Sequence, residues 1–199
     1  MKRNSTRNFL LVVLGILLVL VVIAAIVDRV SDKPAPPTIG TEYHLDEQIL
    51  DLARPLIKHR EGLKLDSYPD GEGLAIGYGH QGAQAGDVIT EEQAELYLEE
   101  DIKQALQDVK DLVKVDLKPC QYAALTSWRF NFSRSKMVTS DLLEAVNEQR
   151  FDAVPDQLRR WVYREVDGKM VWSDWLVAAR EAEVELWNSS PYSESLTKY

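Results

Sequence analysis

The chain has one cysteine, Cys120, so no internal disulfide can form. Cys120 reads as a small helix residue without a role of its own. Only three histidines occur, and His44, His59 and His80 show no metal-ligand spacing. Neither a metal nor a cofactor is expected. Gly77-Tyr78-Gly79 lacks the strand–helix frame of a nucleotide-binding loop. No internal repeat is present. Positive charge is also scarce: 23 Lys and Arg stand against 32 Asp and Glu, a net of −9. Residues 1–33 carry five basic and two acidic side chains, a net of +3, which leaves −12 on the remainder. Such a surface excludes nucleic acid as a natural partner.

Apolar residues are plentiful but unevenly spread. Phe9 to Val27 is an uncharged run of 19 residues. As a helix it measures roughly 28 Å at about 1.5 Å per residue, close to the hydrocarbon thickness of about 30 Å. The run predicts a transmembrane helix. Lys2, Arg3 and Arg7 precede it, whereas Asp28, Arg29, Asp32 and Lys33 cancel one another after it. The positive-inside rule keeps residues 1–8 in the cytoplasm and exports the rest. One rival is a cleavable signal peptide with Val22-Ile23-Ala24 as its site, although such a core spans only about 7–15 residues. A helix that later leaves the membrane is another, opposed by the density of Leu, Val and Ile. Residues 28–42 read as a Pro-rich linker in which Pro34, Pro36 and Pro37 favour a stiff extended chain.

The exported part reads as helices interrupted by one small sheet. Leu45, Ile49, Leu52, Leu56 and Ile57 mark a helix over 42–60, kinked or split at Pro55. Residues 63–80 alternate like strands around Pro69-Asp70-Gly71 and Gly73, predicting a hairpin or three-stranded sheet. Thr90-Glu91-Glu92-Gln93 is a capping box opening an amphipathic helix of about 20 residues. The glutamates along it, Glu91, Glu92, Glu95, Glu99 and Glu100, read as a solvated face. Pro119 starts a helix through Trp128. Thr139-Ser140-Asp141 caps a shorter one ending near Gln149, and residues 151–161 form another. Ser173 caps the last helix, which runs through Leu176, Ala179, Glu183 and Trp187. One α+β domain over 43–188 and a loose tail over 189–199 are expected.

Glu61 ends the first helical pattern, and Asp70 follows just before the glycine-rich segment Gly73-Leu74-Ala75-Ile76-Gly77-Tyr78-Gly79-His80. That spacing can hold two carboxylates across one cleft, which acid-assisted cleavage of a sugar–sugar bond requires. Either residue alone is commonplace, as a helix-end glutamate or a turn aspartate.

Several segments together resemble the phage-type lysozymes, family 24 glycoside hydrolases. They are Glu61-Gly62 with Tyr68-x-Asp70 and Ile76-Gly77-Tyr78-Gly79-His80, then Gly86-Asp87-Val88-Ile89-Thr90-x-x-Gln93-Ala94 with Leu98-x-x-Asp101. Gln121-x-x-Ala124-Leu125-x-Ser127-Trp128-x-Phe130-Asn131, Arg160-Trp161 and Arg180-x-x-Glu183-x-x-Leu186-Trp187 continue the match in order. The resemblance implies a lysozyme-like fold, with a small antiparallel sheet lobe and a mostly helical lobe. It also implies hydrolysis of the β-1,4 bond between N-acetylmuramic acid and N-acetylglucosamine in peptidoglycan.

In that frame Glu61 is the catalytic acid, kept protonated by partial burial. Asp70 stabilises charge at the sugar carbon or orients the attacking water. With the anchor, the expected setting is the bacterial inner membrane, single-pass through residues 9–27, with the C-terminal domain in the periplasm. Peptidoglycan strands are the expected partner, and an envelope protein is a further candidate.

The chain departs from the family pattern in places. Ala75 stands where the family has a water-holding threonine, and the Asp70–Gly77 loop is one residue shorter. Such a change turns later side chains over unless a bulge absorbs it. Ser133 replaces a glycine, Trp175-Leu176 replaces Gly-Leu, and Ala178 and Ala179 replace arginines. These departures, with the acidic surface, suggest the alternative of a lysozyme-like domain that binds peptidoglycan or scaffolds an assembly without cleaving. Glu72, Ala75, Tyr78, His80 and Asn131 are the remaining cleft candidates. Of these, Glu72 is a possible replacement group, and His80 is expected to be structural, bonded to the hairpin.

Overall fold

The computed structural model describes residues 39–71, 73–166 and 168–189, with side chains from residue 44 onward. The apolar span 9–27, the linker up to residue 38, Glu72 and the tail beyond Ser189 lie outside the described residues. Among the described residues no helix is long and apolar enough to cross a membrane.

Helix α1 (Ile39–Glu61) carries Pro55 inside it without dividing. A three-stranded antiparallel sheet follows: β1 (Lys64–Asp70), β2 (Gly73–Gly77) and β3 (His80–Gln81), in that order. Asp70 pairs with Gly73, Tyr68 with Ala75, and Lys64 with Gly77. Four steps of β1 therefore oppose two of β2 between Lys64 and Tyr68. This irregularity lies in β1 ahead of the Asp70–Gly77 loop, and beyond it Ala75 pairs with Tyr68. The intervening residues turn to the other side, where Asp66 bridges Val88 and Ser67 N–H donates to Asp87 O.

The helical body begins with α2 (Glu91–Leu112), opened by the predicted Thr90–Gln93 capping box. Helices α3 (Pro119–Asn131), α4 (Arg134–Val138), α5 (Asp141–Asn147) and α6 (Val154–Arg159) follow, then α7 (Asp174–Asn188) capped by Ser173. The core gathers Ile49 and Ile57 of α1, Leu98 and Ile102 of α2, Leu125 and Trp128 of α3, and Leu186 of α7. Trp128 is wholly buried, with Trp161 edge-on at 4.8 Å and Phe132 at 5.0 Å. Burying such large apolar side chains is the main term favouring the fold. Cys120 is buried as a free thiol.

One element was not anticipated. Tyr163–Val166 (β4) and Lys169–Trp172 (β5) form a second, two-stranded sheet joined across two residues. Its residues are exposed on both strands, and Tyr163 meets Trp172 edge-on.

Candidate active site

Glu61 is the last residue of α1. Gly62 takes φ +66°, and its N–H returns to Lys58 O at 3.1 Å, so the helix stops with Glu61 at its rim. Oε1 of Glu61 accepts from Arg60 Nε at 3.0 Å and from Asn131 Nδ2 at 3.1 Å. The side chain is 17% exposed. Its other oxygen lies beside the β2–β3 turn, where a Cβ on Gly79 would stand 3.8 Å away. Gly79 has φ +93°, a conformation that suits only glycine well.

Both donors to Glu61 are held from behind by a buried ion. Glu183 on α7 has no exposure, and its Oε1 accepts from Arg180 Nη2 at 2.7 Å, Ser127 Oγ at 2.9 Å and Arg60 Nη1 at 3.4 Å. Arg180, also fully buried, donates to Asn131 Oδ1 at 2.8 Å. Burial pulls Arg180 below the ordinary guanidinium value, and the charge and hydrogen bond of Glu183 oppose that. Arg60 lies within cation–π distance of the Phe130 and Trp175 rings, and its carbonyl accepts from Trp175 Nε1.

Asp70 closes β1 on the sheet lobe. Its Oδ2 accepts from Gln81 Nε2 at 2.6 Å, and the same nitrogen lies 3.4 Å from Gly79 O. The turn beside Glu61 is thereby tied to Asp70 through one amide. Tyr68 registers both carboxylates: burial raises its phenol above the ordinary value, and the charges of Asp70 and then Glu61 raise it further. Lys64 Nζ stands 3.7 Å over the Tyr68 ring.

The other sequence candidates divide. Asn131 touches Glu61, as above. Ala75 is fully buried, between Tyr68 and Gln81 in the sheet register. Tyr78 is buried and donates to Glu95 Oε1 of α2 at 2.8 Å, so its hydroxyl is engaged away from Glu61 and Asp70. His80 bonds Asp101 of α2 at 2.9 Å and stacks on Tyr97, so its partner is a helix and not the hairpin. Glu72 lies outside the described residues. Ala178 and Ala179, the replaced arginine positions, line a groove of about 560 Å³ with Leu56 and Trp175. Among the described residues no cluster of His, Cys, Asp and Glu could hold a metal ion.

The sequence reading missed Arg60, Arg180 and Glu183 as supports of Glu61, and Tyr68 and Gln81 beside Asp70. A legible signal existed for one pair. Arg180 and Glu183 sit one turn apart on the stripe of α7 that also buries Leu176, Val184 and Trp187. Ionisable residues on such a face need partners.

A helix-end glutamate fixed by buried ions, beside a small sheet bearing an aspartate, is an arrangement that acid-assisted cleavage of a glycosidic bond can use. The Phage lysozyme family profile matches residues 58–183, and the chain belongs to that family. It is 37% identical over 137 residues to the endolysin of Acyrthosiphon pisum secondary endosymbiont phage 1, across 68% of this chain and 94% of that protein. It is 33% identical over 132 residues to the SAR-endolysin of bacteriophage PS119, across 64% and 77% of the two. Among solved structures, the muramidase domain of SpmX from Asticaccaulis excentricus matches with TM-score 0.64 at 30% identity, covering 68% of this chain and 94% of that one. The protein is a lysozyme-type glycoside hydrolase, and its family acts on peptidoglycan.

Two outcomes test this geometry. Replacing Glu183 by Ala leaves two buried guanidiniums without their common anion, and urea unfolding should show a loss of about 3–5 kcal/mol. A neutral effect would contradict the buried pair. In ultraviolet titration against a Tyr68→Phe reference, Asp70→Asn should lower the Tyr68 midpoint, and Glu61→Gln should lower it by less. No movement in either variant would separate the two carboxylates from Tyr68.

Proposed function

We propose that the protein is a membrane-anchored muramidase that hydrolyses the β-1,4 bond between N-acetylmuramic acid and N-acetylglucosamine. Residues 43–188 form its catalytic domain in the periplasm. Residues 9–27 hold it in the bacterial inner membrane with residues 1–8 in the cytoplasm, and 28–42 act as spacer. The acidic surface suits a tethered enzyme, because anchoring offsets long-range repulsion from an anionic wall polymer. The apolar run, the positive charge before it and the similarity to SAR-endolysins support the anchor.

Glu61 donates its proton to the leaving glycosidic oxygen as the bond to the anomeric carbon breaks. Asp70 stabilises the positive charge that develops there and orients the water that attacks it. The observation that carries this reading is the pair of anchored carboxylates meeting at one turn. Glu61 lies beside Gly79, and Asp70 is tied to Gly79 O through Gln81. A second reading, a domain that binds glycan or an envelope partner without cleaving, draws on Ala75, which has no hydroxyl for water. Membership of the phage lysozyme family and the similarity to an endolysin favour cleavage.

The test is release of reducing ends from purified peptidoglycan by the full-length protein in detergent. Glu61→Gln removes the proton donor at almost unchanged shape, and the rate should fall by about 10²–10⁴. A variant as fast as the parent would rule Glu61 out as the acid.

A further inference from the structure

Gln81 is an exposed residue of β3 whose polar groups are only partly accounted for. A primary amide offers two N–H donors and one carbonyl acceptor. Nε2 donates to Asp70 Oδ2 at 2.6 Å and to Gly79 O at 3.4 Å, so both donors are engaged. Among the described residues Oε1 has no hydrogen-bond partner. It lies near Gly73, 3.8 Å from where a Cβ there would stand.

The register places Gln81 in a defined row. Ala75 pairs with Tyr68 on one side and with Gln81 on the other. Directly paired residues carry their side chains on the same face of a sheet. The row therefore reads Tyr68, Ala75, Gln81, and the aspartate belongs to the same surface through its bond to Gln81. Ala75, in the centre, carries only a methyl group and is fully buried. A water molecule beside Asp70 therefore gains no polar contact from residue 75, whereas the exposed amide of Gln81 carries a carbonyl without a partner among the described residues.

We propose that Gln81 is a positioning residue for the water side of the hydrolysis. Its N–H holds Asp70 in one orientation, and its Oε1 accepts a hydrogen from the attacking water, supplying the contact that Ala75 cannot. This role rests on the muramidase chemistry proposed for Glu61 and Asp70. In that chemistry the water oxygen bonds to the anomeric carbon while the glycosidic C–O bond breaks. The leaving oxygen takes the proton of Glu61, and one water proton passes to Asp70. Gln81 exchanges no proton and directs the water's other hydrogen. Its second N–H also fixes Gly79, the turn residue beside Glu61, so one amide sets the spacing of both halves of the site.

The experiment measures kcat and KM separately on peptidoglycan, with the full-length protein in detergent. The proteins compared are the parent, Gln81→Met and Gln81→Met/Ala75→Ser. Gln81 is exposed, so Gln81→Met should leave the thermal midpoint in place. Its kcat should fall about ten- to a hundredfold with KM changed by less than about twofold. Serine at 75 returns a hydroxyl to the same row and should recover part of the lost kcat. An active parent with kcat unchanged in Gln81→Met would overturn the role of Gln81 alone. A kcat loss that serine does not repair would overturn the water contact. A parent without turnover would overturn the muramidase reading and this role with it.

Discussion

The site depends on one buried carboxylate. Glu183 is fully enclosed, and taking an ion out of water costs several kcal/mol unless its partners compensate. Arg60, Arg180 and Ser127 compensate at a single oxygen, Oε1. The same two arginines fix Glu61, the proposed acid. Arg60 reaches Glu61 directly, and Arg180 reaches it through Asn131. The five residues Glu183, Arg60, Glu61, Asn131 and Arg180 form a closed ring. None can change rotamer without breaking a charged hydrogen bond, so Glu61 is aimed before any substrate arrives.

The sheet lobe is fastened to the helical body by a second set of contacts. Tyr78 and Lys58 both donate to Glu95, and His80 bonds Asp101. Burial raises Glu95, but the hydrogen bonds from Lys58 and Tyr78 outweigh it and leave the group below the ordinary carboxylate value. Its contribution to stability is therefore present above the unfolded value and is lost as pH falls through the lowered folded one. Lys58 is raised, chiefly by its bond to Glu95, so its contribution is lost only as pH rises through that raised value. The contact between Lys58 and Glu95 therefore stays charged on both sides across neutral pH.

Local signals carried most of the fold. The Thr90–Gln93 box, Pro119, Ser140 and Ser173 each open a helix where the sequence places it. The hairpin of β4 and β5 was missed although Asp167-Gly168, a strong two-residue turn signal, lies between its strands. Its strands escape a search for buried alternation because both lie exposed. At the site, Glu61 and Asp70 were legible from residue type and spacing, and Asn131 from the resemblance to the phage-type lysozymes. The partners of Tyr78 and His80 were not, because Glu95 and Asp101 sit on a helix whose glutamates read as a solvated face. Tertiary packing seats the sheet lobe on Glu95 and Asp101, while Glu91, Glu92 and Glu100 stay exposed. Gln81 was illegible for a similar reason, since its role follows from strand register and not from its neighbours in sequence.

The most direct measurement is a crystal structure of Glu61→Gln with a bound oligomer of N-acetylglucosamine. The glycosidic oxygen of one linkage should lie within hydrogen-bond reach of residue 61, with Asp70 on the opposite side of the same sugar ring. An oligomer seated elsewhere, or one that meets residue 61 while Asp70 faces bulk water, would contradict a shared saccharide cleft.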